Sequence, residues 1–363
     1  MHAPSSYAPR LCDTEREGSH PDLMEAPPVR WGVLGAGLIA ASFAAGLRAR
    51  TASAITAVGS RDAARAQAFA HAPAPGARAH GSYEDLVADD DVDVVYVATP
   101  HSHHLEHALL ALRAGKHVLV EKPLTRNAAE ARTLLDAARE AGVFLMEAMW
   151  TRFLPHVAAL RGAIARGEIG KVVTVIAEFD VAFPYDPQHR IFNPHLAGGA
   201  LLDLGVYPIA FAHDLLGRPD RITASGTLAP TGVDDHVGVI LDWEDGAQAL
   251  LHTSSRAAGP NAATIIGTEG RIEIPHVFFT PTAIHVTRRD GESWTYASPA
   301  GEGKAYEAAE VARQVTAGAI QSPRHPWSDT LEIMEILDEV RRQVGVVYPG
   351  EPGASGRGGR LSA

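Results

Sequence analysis

The chain has 363 residues, enough for two domains, and its 46% hydrophobic content supplies a core for each. A formal net charge of −11 argues against nucleic acid or an anionic membrane as a partner. One cysteine, Cys12, has no mate for an internal disulfide, which fits a reducing cytoplasm. No apolar run approaches the length of a membrane span, and no hydrophobic signal core follows the N-terminus.

Residues 1–28 are rich in Pro, Ser and charge, show no periodicity, and are expected to form a disordered tail. Met24, shortly before the first strand, is a candidate native start. From 29 to 149 the pattern alternates strand and helix, with strand cores at Gly32–Leu34, Ile55–Val58, Val92–Ala98, His117–Val120 and Val143–Met146. Leu105, Ala108, Leu109 and Leu112 show the three-and-four spacing of the intervening helices. Such alternation predicts a Rossmann-type α/β domain, a parallel sheet with helices on both faces and ligand at the carboxyl ends of its strands.

The first of these strands ends in Gly35, Gly37 and Ala40, a G-x-G-x-x-A turn that opens a helix. Gly35 permits the tight turn, Gly37 lets backbone approach a pyrophosphate, and the helix start at Leu38 and Ile39 carries the phosphate charge. A glycine turn with no ligand is the alternative, but the strand, helix and second strand around it favour dinucleotide binding. The second strand runs into Ser60 and Arg61, where an NAD-selective site wants an acidic residue for the ribose 2′-hydroxyl. A hydroxyl and a fixed cation suit a 2′-phosphate, so NADP(H) is expected over NAD(H). Asp62 reads as the N-cap of the helix Ala63–Phe69.

Two further strand ends carry chemistry. Thr99, Pro100, His101 and His104 are expected to cross the nicotinamide half of a cofactor. Glu121 and Lys122, followed by Pro123, are candidate cofactor-binding residues, and Lys122 lies at the crevice where a reacting substrate would sit; a structural ion pair is the alternative for Lys122. His101, His103 and His104 are clustered, yet no Cys or second histidine pair follows at ligand spacing, so no metal is expected.

After Met149 the character changes. A helix around Phe153–Ala165 leads into period-two strands at Val172–Val181, Ile222–Leu228, His236–Trp243, Ala247–Ser255, Ala262–Gly267 and Thr282–Thr287, with turns at Gly246, Gly270 and Gly291. They predict a second, α+β domain over 150–348 with a mostly antiparallel sheet, open on one face. That open face suggests a homodimer or homotetramer. Gly198 begins a helix running to about Leu216, on which Asp203 and Tyr207 are one turn apart and share a face. A buried Asp–Tyr hydrogen bond that only holds the helix is the alternative to a catalytic pair. Two amphipathic helices, Tyr306–Ile320 and Asp329–Val344, are expected to close the domain and to pack back on the first, and 349–363 reads as a flexible tail.

With these residues in place, the chain resembles the glucose–fructose oxidoreductase/inositol dehydrogenase (Gfo/Idh/MocA) family over about Val29 to Pro349. The motifs are Gly35-Ala-Gly, Glu121-Lys-Pro, the run Met146 to Phe153, and Gly198 to Tyr207. Within the family it is most similar to the dimeric dihydrodiol dehydrogenase and NADP-dependent D-xylose dehydrogenase branch. The resemblance implies a nicotinamide between the domains, Lys122 and Tyr207 at the reacting carbon, and a substrate pocket lined by Trp150, Arg152, Phe179, Asp203 and Tyr207. It implies an NADP(H)-dependent oxidoreductase acting on a sugar, polyol or cyclic trans-diol. Tyr207 would be the general acid/base, its pKa lowered by the Lys122 ammonium, and Asp203 would position that lysine or accept a substrate hydroxyl. A redox-neutral glycosidase on the same fold and a non-catalytic sugar sensor or co-repressor are the competing readings.

Overall fold

A computed structural model describes residues 22–351; Cys12, most of the expected N-terminal tail and the end of the C-terminal one lie outside the described residues. Six short strands follow the Val-rich runs: β1 (Arg30–Leu34), β2 (Ala54–Gly59), β3 (Arg78–His80), β4 (Val94–Val97), β5 (His117–Glu121) and β6 (Leu145–Ala148). They form one sheet in the order β3-β2-β1-β4-β5-β6, and every pairing is parallel. The helices between them are α1 (Leu38–Arg50), α2 (Ala63–His71), α3 (Tyr83–Val87), α4 (His104–Arg113) and α5 (Ala128–Ala141). Asp62 caps α2 by accepting from Ala64 N at 2.9 Å and Arg65 N at 3.3 Å. The order reverses between β1 and β4, so the crevice at their carboxyl ends opens beside Gly35 and Thr99, where an α/β sheet binds its ligand.

The second sheet has eight strands: β7 (Val172–Asp180), β8 (Arg221–Leu228), β9 (Asp234–Asp242), β10 (Gln248–Ser254), β11 (Ala263–Gly267), β12 (Gly270–Ile274), β13 (Ala283–Arg288) and β14 (Ser293–Ala297). Their order is β14-β13-β12-β11-β7-β10-β9-β8, and all neighbours are antiparallel except β7 and β10. One face is covered by α6 (Pro155–Ala165) on β13 and β14, by α7 (Val206–Leu216) on β7 and β10, and by α9 (Trp327–Val344) on β8 and β9. Helix α9 also touches α5, and α8 (Lys304–Thr316) packs on α1, so the C-terminal helices tie the two sheets together. The other face is bare, with Ile176, Ile240, Leu250 and Ile266 each about two-fifths exposed.

Several expectations shift. Strand β3 has no apolar signal of its own, and β12 and β14 carry only two inward side chains each (Ile272 and Ile274; Trp294 and Tyr296), too few to stand out. The last Rossmann strand starts two residues later than Val143 and ends at Ala148. Part of the expected tail is packed: Leu23 and Ala26 are buried, and Arg313 donates to Asp22 O at 2.6 Å. At the other end Tyr348 is fully buried, and Glu351 accepts from Arg341 and Asn127. The segment Pro194–Leu216 is long and apolar enough to cross a membrane by composition, contrary to expectation, but 89% of its most apolar window is buried inside the fold. It is a core helix.

That segment begins at a tight double glycine. Gly199 has φ +120°, and a Cβ there would come within 2.3 Å of Asp234 Oδ1. Asp234 Oδ2 accepts from Leu201 N at 2.6 Å, which fixes the wide π-type turn Leu201–Gly205 that precedes α7. Gly199→Ala should therefore lose at least about 2 kcal/mol of stability and lower the melting temperature by about 2–5 °C in calorimetry; an unchanged melt would contradict this reading of the turn.

Candidate active site

Each functional side chain is placed by the end of an element. Lys122 follows β5 directly, and its peptide to Pro123 is cis. Its ammonium crosses to the second domain and donates to Asp203 twice, to the main-chain O at 2.7 Å and to Oδ1 at 3.1 Å. The same nitrogen lies 5.1 Å from the centroid of the Tyr207 ring. Asp203 also takes an ion pair from Arg190, Nη1 to Oδ2 at 2.9 Å, and His101 Nε2 stands 3.8 Å from Oδ1. Burial alone would raise the Asp203 pKa, but Lys122 and then Arg190 outweigh it and hold the carboxyl far below the usual range. Asp203 is a fixed carboxylate. Burial pushes the His101 pKa down to about 3, so this ring is neutral, with Nδ1 against Ala197 O at 3.1 Å.

Tyr207 is buried, and its hydroxyl oxygen accepts from Trp150 Nε1 at 2.9 Å. Phe179 and Phe279 stack on each other at 3.7 Å and each lies 5.3 Å from the Tyr207 ring, forming an aromatic wall. The expected lowering of the Tyr207 pKa by Lys122 is not what this environment produces. Burial first, then the Glu121 and Asp203 carboxylates, raise it well above 10, and only the Trp150 indole N–H opposes them. Burial is the main reason, and the Lys122 ammonium, already matched by Asp203, does not offset it.

The glycine turn fits a dinucleotide. A Cβ on Gly35, at φ +109°, would meet Ala98 O at 2.8 Å, whereas nothing lies within 4 Å of one on Gly37. Space for a ligand therefore opens in front of Gly37, at a helix start with no side-chain cap. Leu38 is 92% exposed there, and Ile39 stands beside it. Arg61 is exposed at the end of β2, while Ser60 is buried and its Oγ accepts from Asp62 N at 3.2 Å. A second guanidinium, which sequence reasoning missed, reaches the same turn: Arg65 Nη2 donates to Ala36 O at 3.3 Å. Its place in the first turn of α2, three residues after the Asp62 cap, was the available signal.

Other expected contacts resolve differently. His104 is fully buried, with Nδ1 2.9 Å from Pro123 O and Nε2 2.8 Å from Thr99 O, so it braces two loops against each other and has no nitrogen left for a cofactor. Glu121 is also buried: it accepts from the Tyr96 hydroxyl and, at 3.2 Å, from Lys122 N. Thr99 Oγ1 is 2.9 Å from His107 Nδ1, and Pro100 is exposed beside it. Arg152 turns its guanidinium into the interior. Its guanidinium is 2% exposed, donates to Asp329 Oδ2 at 2.7 Å and lies 3.6 Å from Asp214. The void it shares with Tyr207 measures only about 10 Å³, room for one water at most. Arg190 and Phe279 were missed because they sit on irregular segments with no motif around them.

Comparison with known proteins agrees with this architecture. Residues 29–149 match the model of the oxidoreductase family with an NAD-binding Rossmann fold, and 157–273 match the GFO/IDH/MocA C-terminal domain. The chain is 40% identical to a trans-1,2-dihydrobenzene-1,2-diol dehydrogenase of Danio rerio, covering 88% of this chain and 98% of the relative. It is 36% identical to a D-xylose 1-dehydrogenase (NADP(+)) of Hypocrea jecorina, with 88% and 93% covered. Among solved structures it is similar to a 3-ketoreductase of Actinomadura kijaniata in complex with NADP and TDP-benzene, at 32% identity and a TM-score of 0.77, covering 87% of this chain and 98% of that one.

The burial of Arg152 generates a direct test. Arg152→Ala would remove the buried guanidinium that Asp329 accepts from at 2.7 Å, a loss of about 3–5 kcal/mol, while Asp214 keeps its ion pair with Arg161 at 2.8 Å. The variant should melt well below the parent; a parent-like melt with only KM raised would return Arg152 to the substrate pocket.

Proposed function

The chain belongs to the Gfo/Idh/MocA oxidoreductase family, and on that premise we propose that it is an NADP(H)-dependent dehydrogenase of a small hydroxylated ring, a sugar or a cyclic trans-diol, with Tyr207 as proton carrier. The observation that carries this reading is the meeting of Lys122, from the nucleotide domain, with Asp203 and Tyr207, from the second, at the carboxyl edge of the parallel sheet. The dihydrodiol and xylose dehydrogenases, similar over nearly their whole length, support the same substrate classes.

A nicotinamide cofactor, when bound, supplies the hydride chemistry. The protein moves the accompanying proton. Tyr207 rests as a neutral phenol, since burial and the nearby carboxylates disfavour its anion. In the reducing direction that phenol donates its proton to the oxygen of a substrate carbonyl. In the oxidising direction the same oxygen has to receive the hydroxyl proton, and the Trp150 N–H already pointing at it is the group that stabilises the transient phenolate. Lys122, held by Asp203, presents its remaining donor capacity to the substrate oxygen beside the phenol. Asp203 and Arg190 offer a carboxylate and a guanidinium to neighbouring hydroxyls, and Phe179 and Phe279 offer a flat face to a ring.

On the nucleotide side, Arg61 and Arg65 favour a 2′-phosphate, and the carboxylate of Asp62, which could otherwise bind the 2′-hydroxyl, is spent on capping α2. The bare apolar face of the second sheet supports a homo-oligomer, a dimer or tetramer, built through it.

Three outcomes check this reading. Tyr207→Phe and Lys122→Met should each cut turnover at least about a hundredfold with NADPH affinity nearly kept; near-parental turnover in Tyr207→Phe refutes the assignment. Because the Tyr207 pKa is raised, the phenol stays protonated through neutrality, so kcat for reduction should be flat over about pH 6–8 while kcat for oxidation climbs with pH. A reduction rate that falls with an apparent pKa near 7 would contradict it. Fluorescence titration should show NADPH binding more tightly than NADH, with the difference shrinking in Arg61→Ala; tighter NADH binding overturns the cofactor preference.

A further inference from the structure

On the face of the second sheet turned away from Tyr207, the ends of β7 and β10 bring together a carboxylate–imidazole cluster. Glu178 and Asp180 are two residues apart on β7 and so share a face, and His252 of β10 pairs in register with Glu178. One donor atom from each of the three can be chosen so that all lie within 4.8 Å of one another. His252 Nε2 is in turn 3.4 Å from Nδ1 of His236, on β9. A tetrahedral ion with bonds of about 2.1 Å holds its donors about 3.4 Å apart, so small side-chain rotations suffice to close on one.

The charge balance of the cluster points the same way. Asp180 is 94% buried by residue exposure (6% exposed), yet its Oδ1 accepts no hydrogen bond. His252 Nδ1 approaches both of its oxygens, Oδ1 at 3.0 Å and Oδ2 at 3.1 Å, but is aligned only with Oδ2. Gly259 closes the other side, where a Cβ would come within 2.5 Å of Oδ2. Among the described residues no lysine or arginine forms an ion pair with Glu178 or Asp180. Two carboxylates, one deeply buried, thus face an imidazole with no permanent cation to balance them.

We propose that Glu178, Asp180 and His252, with His236 as a fourth donor, bind a divalent transition-metal ion of the zinc class. Mixed nitrogen and oxygen donors suit Zn²⁺ or Co²⁺ and disfavour Ca²⁺ and Mg²⁺, which want oxygen alone. The role is structural, because the donors lie on the opposite face from the reacting groups. Phe179, between the two carboxylates, points through to the Tyr207 wall, and Thr253, beside His252, donates to Phe179 O at 2.9 Å. An ion joining β7 to β10 here would brace the strands that carry the aromatic wall. Linear spacing hides the site, since Glu178 and His252 are neighbours only across strands.

The test uses the full-length chain, freed of metal with a chelator and titrated with Co²⁺, whose visible absorption reports its coordination. One Co²⁺ per chain should bind, Zn²⁺ should displace it, and Zn²⁺ should raise the melting temperature. Glu178→Gln and His252→Asn should each weaken binding at least about tenfold, and both should lose the Zn²⁺-induced rise. His285→Ala, on the same face but on the distant β13, should bind as the parent does. Absence of saturable Co²⁺ binding, or parental binding in a folded Glu178→Gln/His252→Asn double variant, would overturn the proposal.

Discussion

One contact spans the molecule at its working point: the Lys122 ammonium, leaving the parallel sheet, is held by both the main-chain and side-chain oxygens of Asp203 on the opposite domain. Burying a lysine and an aspartate is costly unless each is matched, and here the match is complete enough to keep Asp203 ionised. Arg190 adds a second cation on the far side of the carboxylate. The wide turn that carries Asp203 is itself set by Gly199 and Asp234, so the position of one ion pair reaches back to a steric requirement for glycine.

The same contact decides the character of Tyr207. An uncommitted ammonium over the ring would favour phenolate; an ammonium neutralised by a carboxylate does not. The phenol is left buried, with the Glu121, Asp203 and Glu307 carboxylates disfavouring its anion and the Trp150 indole N–H pointing at its oxygen. Such a group rests protonated at neutral pH and gives up its proton only where something stabilises the anion left behind.

Much of this was readable from residue order, and what escaped has a common cause. The glycine turn, the lysine after a buried strand and the Asp–Tyr pair on one helix face each express a local rule, so the α/β-then-α+β architecture and the pairing of Lys122 with Asp203 could be anticipated. The burial of Arg152 could not be foreseen because a motif names a residue without saying which way its side chain turns; three-dimensional packing pairs it with Asp329. His104 was misjudged for the same reason, since only the folded loops show both ring nitrogens occupied. Arg190 and Phe279 come from irregular segments whose paths are set by tertiary contacts, and β3, β12 and β14 are too short or too thinly apolar to announce themselves. The Tyr207 pKa went the other way because residue order shows the nearby cation but neither the burial of the phenol nor the carboxylates around it.

The most direct measurement is a double-mutant cycle on Lys122 and Asp203, comparing Lys122→Met, Asp203→Asn and the double variant for kcat/KM and for unfolding free energy. If the two side chains act as one buried unit, the second substitution costs little once the first is made, and the coupling reaches at least about 2 kcal/mol. Effects that add within about 0.5 kcal/mol would show the pair to be independent and would contradict the account.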